Sequence, residues 1–261
     1  MSVETLKDRV RRQRDELPGM YGDIDFDRVP ERLALGPDDE SDYPSHLKLS
    51  RADLMADTGL IEVMATATML GDVVCDAYVS LIPELGMQRL IEMVRTACRD
   101  GIDAVDDAPD ELVAFLEAME ATPDWIDLGL VEQGAWVERV GAALAAPYAI
   151  RGAFLATFLN EYAALPMAIT GSLSDKRAAR RVNETASFFA TTVLPGGMRR
   201  GGPGFEAAAM VRLMHSMVRY NALRRSDRWD HGRFGIPIPQ VDPMPAGLIS
   251  SFLIPPAPPP P

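Results

Sequence analysis

The sequence predicts an all-α fold: a single multi-helix globular domain followed by a proline-rich tail. Two observations carry this. Apolar residues recur at helical spacing through most of the chain, and β-branched runs with period-two alternation are scarce. The 261 residues are 47% hydrophobic, enough for a sizeable core and too much for a disordered chain. Cys75 and Cys98 are the only cysteines, which excludes a disulfide scaffold and suggests two reduced thiols.

The elements can be justified in order. Residues 1–48 are polar and rich in Pro and Asp, with a helix expected over Glu4–Glu16 and an acidic loop at Asp38–Tyr43. Helical periodicity becomes continuous within 49–242. Ser50 can cap a helix whose apolar face runs from Leu54 to Leu70. Pro83 can open the next helix, which carries Leu90, Val94 and Cys98 on one face and stops at Gly101. Further helices are expected over Asp110–Glu120, Leu128–Leu144 and Pro147–Ile169. Another is capped by Ser174 or Asp175 and reaches Val193. The loop Pro195–Gly204 (PGGMRRGGPG) reads as a helix–helix connector, and the last long helix spans Phe205–Arg224. Residues 243–261 form the proline-rich tail.

Charge is unevenly distributed. The formal net charge is −12, yet residues 176–233 hold 12 Lys+Arg against 4 Asp+Glu. An acidic body with a basic stretch suggests that the stretch meets an anion. The body would repel nucleic acid, and several of the arginines sit among apolar residues at helical spacing, so a small buried anion is the better expectation. Residues 149–169 are the nearest approach to a membrane span. They carry Arg151, Asn160, Glu161 and Pro166, and read as a buried core helix. The N-terminal basic cluster is followed by Asp15, Glu16 and Pro18 rather than an apolar run, so a cytoplasmic protein is expected.

Phosphate-loop, dinucleotide and nucleophile-elbow motifs are absent. His46, His215 and His231 include no pair at i,i+4, and no Glu-x-x-His occurs. What is present lies in Val211–Arg219 (VRLMHSMVR), where Arg212, His215 and Arg219 fall within an arc of about 60°. A neutral imidazole can donate a pair to iron, and flanking guanidiniums can bind two carboxylates. The preceding helix places Arg181, Thr185, Phe188 and Thr192 within a similar arc of about 60°. A guanidinium and a hydroxyl there could orient dioxygen in an apolar pocket, with Glu184 at the edge as a base or an ion-pair partner. The bland alternative is a satisfied histidine flanked by structural salt bridges, with Phe188 and Phe189 in the core.

RRVNETASFF (180–189), the Gly-rich loop and VRLMHSMVR resemble the catalytic domain of the latex-clearing rubber oxygenases and MpaB-type oxygenases. Pro123–Asp127 (PDWID), Thr170–Leu173 (TGSL), Trp229 and Gly235–Asp242 (GIPIPQVD) resemble the family more loosely. The resemblance implies an all-α oxygenase holding one haem b, with His215 as the iron ligand and Arg212 and Arg219 on its carboxylates. It implies Arg181 and Thr185 on the dioxygen side; where rubber-cleaving members carry a lysine, this chain has Glu184. The expected partners are an apolar small-molecule substrate and dioxygen, with no nucleic acid and no membrane span, and a homo-oligomer is compatible. Family members usually continue with helices after the GIPIPQVD-like segment, where this chain has Leu253–Pro261, so those helices are expected to be lacking. The alternative is a non-catalytic helical carrier or sensor of haem or a lipid-like ligand. A third reading is an interaction module whose Arg/His stripe meets an acidic partner.

Overall fold

The computed structural model describes residues 2–31, 56–141, 161–171 and 175–239, and these contain helices and no strand. In chain order the helices are α1 (Val3–Glu16), α2 (Pro18–Tyr21), α3 (Thr58–Ala67), α4 (Val73–Val79), α5 (Ile82–Leu85) and α6 (Met87–Asp100). They continue with α7 (Asp110–Glu120), α8 (128–141), α9 (Glu161–Ile169), α10 (Asp175–Thr192), α11 (Pro203–Arg224) and α12 (His231–Phe234). The all-α reading holds. None of the described helices is long and apolar enough to cross a membrane. The acidic loop expected at Asp38–Tyr43, the cap expected at Ser50, residues 142–160, residues 172–174 with the expected Ser174 cap, and the tail from 240 lie outside the described residues.

Local chemistry sets the element ends. Ser2 caps α1 by accepting from the Thr5 N–H, and Asp57 caps α3 by accepting from the Leu60 N–H. The helix expected to open at Pro83 is two helices, because Gly86 takes φ +78° between α5 and α6. Gly101, at φ +96°, ends α6 as expected. Composition had not separated α4 from the apolar run before it. Asp72 makes the break by accepting from the Cys75 N–H at the start of α4.

α11 organises the packing. Its Phe205, Ala209, Leu213 and Met217 enter the main core, between Cys75, Tyr78 and Val79 of α4, Leu90 and Val94 of α6, and Leu112 and Phe115 of α7. A second cluster joins Leu6 and Val10 of α1 to Met20, Tyr21, Met69, Leu70 and Ile236. A third gathers Tyr162 of α9, Ala222 of α11, Trp229 and Phe234. Each fully buried large apolar side chain contributes about 1.5–3 kcal/mol. α10 packs along α11, and α9 also touches α11. α8 differs from these helices in leaving Leu128, Leu130, Val131, Trp136 and Val137 exposed.

The Gly-rich loop joins α10 to α11 and lets their backbones touch. A Cβ on Gly204 would come within 2.8 Å of the Thr192 Cα and the Thr191 carbonyl oxygen, and one on Gly197 within 2.3 Å of the latter. Gly196 and Gly201 take positive φ. Two ion pairs pin the same hairpin to its neighbours: Arg200 with Glu120 of α7 at 2.6 Å, and Arg99 of α6 in a two-bond fork on Glu206 of α11. The connector reading of this loop is therefore correct.

Candidate functional site around His215

The residues flanking His215 are held from one side by α4. Gln13, buried in α1, donates to the Met69 carbonyl and accepts from the Gly71 N–H, which fixes the chain entering α4. Gly71 is required there, since a Cβ would lie 2.1 Å from the Tyr21 hydroxyl. From this turn two carboxylates one helical turn apart, Asp72 and Asp76, face α11.

Asp72 takes a two-bond fork from Arg212, with Nε at 2.8 Å and Nη2 at 2.7 Å, while the guanidinium lies 5.0 Å from the centre of the Phe115 ring. Burial acts to raise the Asp72 carboxyl, but Arg212 overrides it and holds the group below its ordinary value. Asp76 is fully buried. It accepts from Tyr21 and from Arg219 Nη1, each at 2.5 Å, and from the Ser216 hydroxyl. Burial pushes the Asp76 carboxyl up, with Arg219, Ser216 and Tyr21 drawing it back. For Arg219, burial acts to lower the guanidinium, and the facing Asp76 raises it above its usual value. Arg219 also donates from Nε to the Pro237 carbonyl at 3.1 Å and from Nη2 to the Ile238 carbonyl. Ile238 itself takes φ +48°, a strained setting for a β-branched residue.

These contacts revise the electrostatic expectation. The basic stretch does meet anions, but several are the chain's own carboxylates: Asp72, Asp76, Glu120 and, for Arg224, Asp23 at 2.7 Å. Arg219 has every nitrogen engaged inside the protein. Arg212 keeps its Nη1 outside the Asp72 fork, and its side chain is 29% exposed. His215 is half-buried on α11, between the two arginines and about 60° round the helix from Arg212.

The second predicted stripe is on α10. Position 181 lies eleven residues before Thr192, and His215 lies eleven residues after Gly204, where the two helices touch. Each position therefore lies about 16 Å along its own helix from that contact. The Arg181 side chain is outside the described residues. Thr185 is half-buried about one turn nearer the loop. Glu184 is exposed and paired with Arg180 at 2.8 Å, which matches the ion-pair alternative for it. Phe188 is half-buried and meets the exposed Phe189 edge-on at 5.3 Å.

Sequence reasoning missed Asp72, Asp76, Ser216 and Tyr21 as members of this constellation. One signal was available. In VVCDAYV (73–79) a lone carboxylate interrupts an apolar helix, and such a group needs a buried cationic partner.

Among the described residues, no group of three or more His, Cys, Asp or Glu side chains could hold a metal ion. A haem-type group asks one axial donor of the protein, and half-buried His215 fits that requirement. Arg212 fits a carboxylate contact through Nη1; Arg219, closed by its own partners, does not.

No curated protein and no solved structure matches the chain. The stretch that does find a counterpart takes in α10, the Gly-rich loop and α11, and so holds Arg181, Thr185, Arg212, His215 and Arg219 together. Residues 137–235, less than half of the chain, match the family described as ER-bound oxygenase mpaB/B'/Rubber oxygenase, catalytic domain.

Proposed function

We propose that this chain is an oxygenase that holds haem b on His215 and oxidises an apolar small molecule with dioxygen. The observation that carries the reading is the family match over 137–235, the segment that contains Arg181, Thr185, Arg212, His215 and Arg219. When bound, haem supplies the redox iron at which dioxygen is activated. The protein's part is positioning. His215 would hold the iron through a ring nitrogen, and Arg212 would offer Nη1 to a haem carboxylate. Arg219 acts indirectly by bracing the His215 helix. Thr185 and Arg181 orient the oxidant on the substrate side. Glu184, drawn to Arg180, is at most a proton relay at the edge of that side.

A carrier or sensor makes the opposite prediction for reactivity. The reconstituted, chemically reduced protein is offered dioxygen together with a long-chain alkene, and oxygen uptake and products are followed. Uptake that depends on the alkene, with cleaved or hydroxylated product, supports the oxygenase. A stable ferrous complex without product overturns it in favour of the carrier. An interaction module would hold no haem, and its binding to an acidic partner would fall steeply with salt.

A further inference from the structure

We infer that Asp72 is a positioning residue for the His215 site, working with Asp76 to set the rotation of α11. This rests on the functional reading above. The two carboxylates stand one turn apart on α4 and grip the guanidiniums at positions −3 and +4 from His215. Asp76 adds Ser216, the residue next to His215, through its hydroxyl. His215 is therefore bracketed on both sides by contacts that reach one short helix.

Apolar packing fixes this rotation only coarsely. Phe205, Ala209, Leu213 and Met217 form a broad stripe against α4, α6 and α7, and burial of apolar area is non-directional. A two-bond fork on a carboxylate is directional and constrains the plane of the guanidinium. Asp72 engages Nε and Nη2 and leaves Nη1 outside the fork, so it also decides which edge of Arg212 faces a ligand. Asp72 is in turn placed from behind, by Gln13 on the Gly71 N–H and by its own cap contact with the Cys75 N–H. The line from α1 through α4 to His215 is continuous.

A matched control lies on the same helix. Arg99 and Glu206 form a two-bond fork between α6 and the start of α11, more than two turns before His215. A purely structural role for Asp72 would make its loss resemble the loss of that fork.

The test compares full-length wild type, Asp72→Asn, Asp72→Glu, Glu206→Gln and His215→Ala. The probe is hemin, titrated by absorption, with the ferric spin state read by electron paramagnetic resonance. A haem-free readout comes from the ring-proton signals of His215, assigned by their loss in His215→Ala. Asp72→Asn is expected to move the His215 ring signals, weaken hemin binding about tenfold and change the spin-state signature. Asp72→Glu should recover part of the affinity, and Glu206→Gln should change none of these. If Asp72→Asn leaves signals, affinity and signature as in wild type, or if Glu206→Gln moves them equally, the positioning role is overturned. Should Asp72→Asn not fold, Asp72→Glu decides by the same readings. If wild type takes no hemin, or His215→Ala takes it equally well, the functional reading fails. The His215 ring signals then decide the positioning role alone: displaced in the Asp72 variants, it stands; unchanged, it falls.

Discussion

Arg219 shows how one side chain can look like a ligand in a sequence and serve as a brace in the fold. It is 1% exposed and joins Asp76, Ser216, Pro237 and Ile238, so its loss strands a buried carboxylate and two carbonyls. Breaking a buried pair by removing one partner typically costs about 3–5 kcal/mol. Arg219→Ala should show a loss of that order in urea unfolding; a loss below about 1 kcal/mol would mean the network carries little. Asp72 makes a pH-dependent contribution. Its carboxyl is held below the ordinary value, so its stabilisation is present above about pH 4 and is lost as pH falls through the folded-state value. Wild type should therefore lose its stability advantage over Asp72→Asn on acidification, in urea melts taken from about pH 6 to about pH 2. The thiols are a simpler case. Burial pushes Cys98 up to about 11 and raises Cys75 further. Both should resist a thiol reagent at neutral pH until the protein unfolds, a result read from labelling with and without denaturant.

At the scale of elements, the α10–α11 hairpin depends on glycine for close approach. Gly204→Ala would drive a Cβ to within 2.8 Å of the α10 backbone, where neither helix has a flexible atom to move aside. Thermal melting should report a loss of about 1–3 kcal/mol, whereas Gly134→Ala, with open space around it in α8, should be neutral or slightly stabilising. Much of this level was legible beforehand. Asp110–Glu120 is reproduced as expected, and the helices expected from Asp175 and to Arg224 end within about two residues of their observed bounds. Those segments have strong periodicity and clear stops. The short α4 was not legible because its apolar residues continue those of α3, and only a short turn through Gly71 and Asp72 divides them. The site divides along the same line. His215 and its arginines are local in sequence and could be read from one helix, whereas their acidic partners lie about 140 residues away, and pairing over that distance leaves no periodic trace.

For the whole molecule, the charge asymmetry is an internal matter as much as an external one. The basic segment 176–233 is knitted to the acidic body through Glu120, Asp72, Asp76 and Asp23, reaching α7, α4 and the turn after α2. The surface pairs Arg200–Glu120 and Arg224–Asp23 are each worth about 0–1 kcal/mol, so the electrostatic link rests mainly on the two α4–α11 contacts, the part-buried Asp72–Arg212 fork and the buried Asp76–Arg219 pair. α11 borders all three apolar clusters, through Leu213, Tyr220, Ala222 and Leu223. A ligand gripped by His215 would thus be coupled to the stability of the entire fold. The most direct measurement of the central claim is a hemin titration of wild type and His215→Ala, with a pyridine haemochrome to identify the bound haem. The account predicts one haem b per wild-type chain, with a Soret band lost or shifted in His215→Ala. Equal binding and identical spectra in both proteins, or no stoichiometric binding in either, would contradict it.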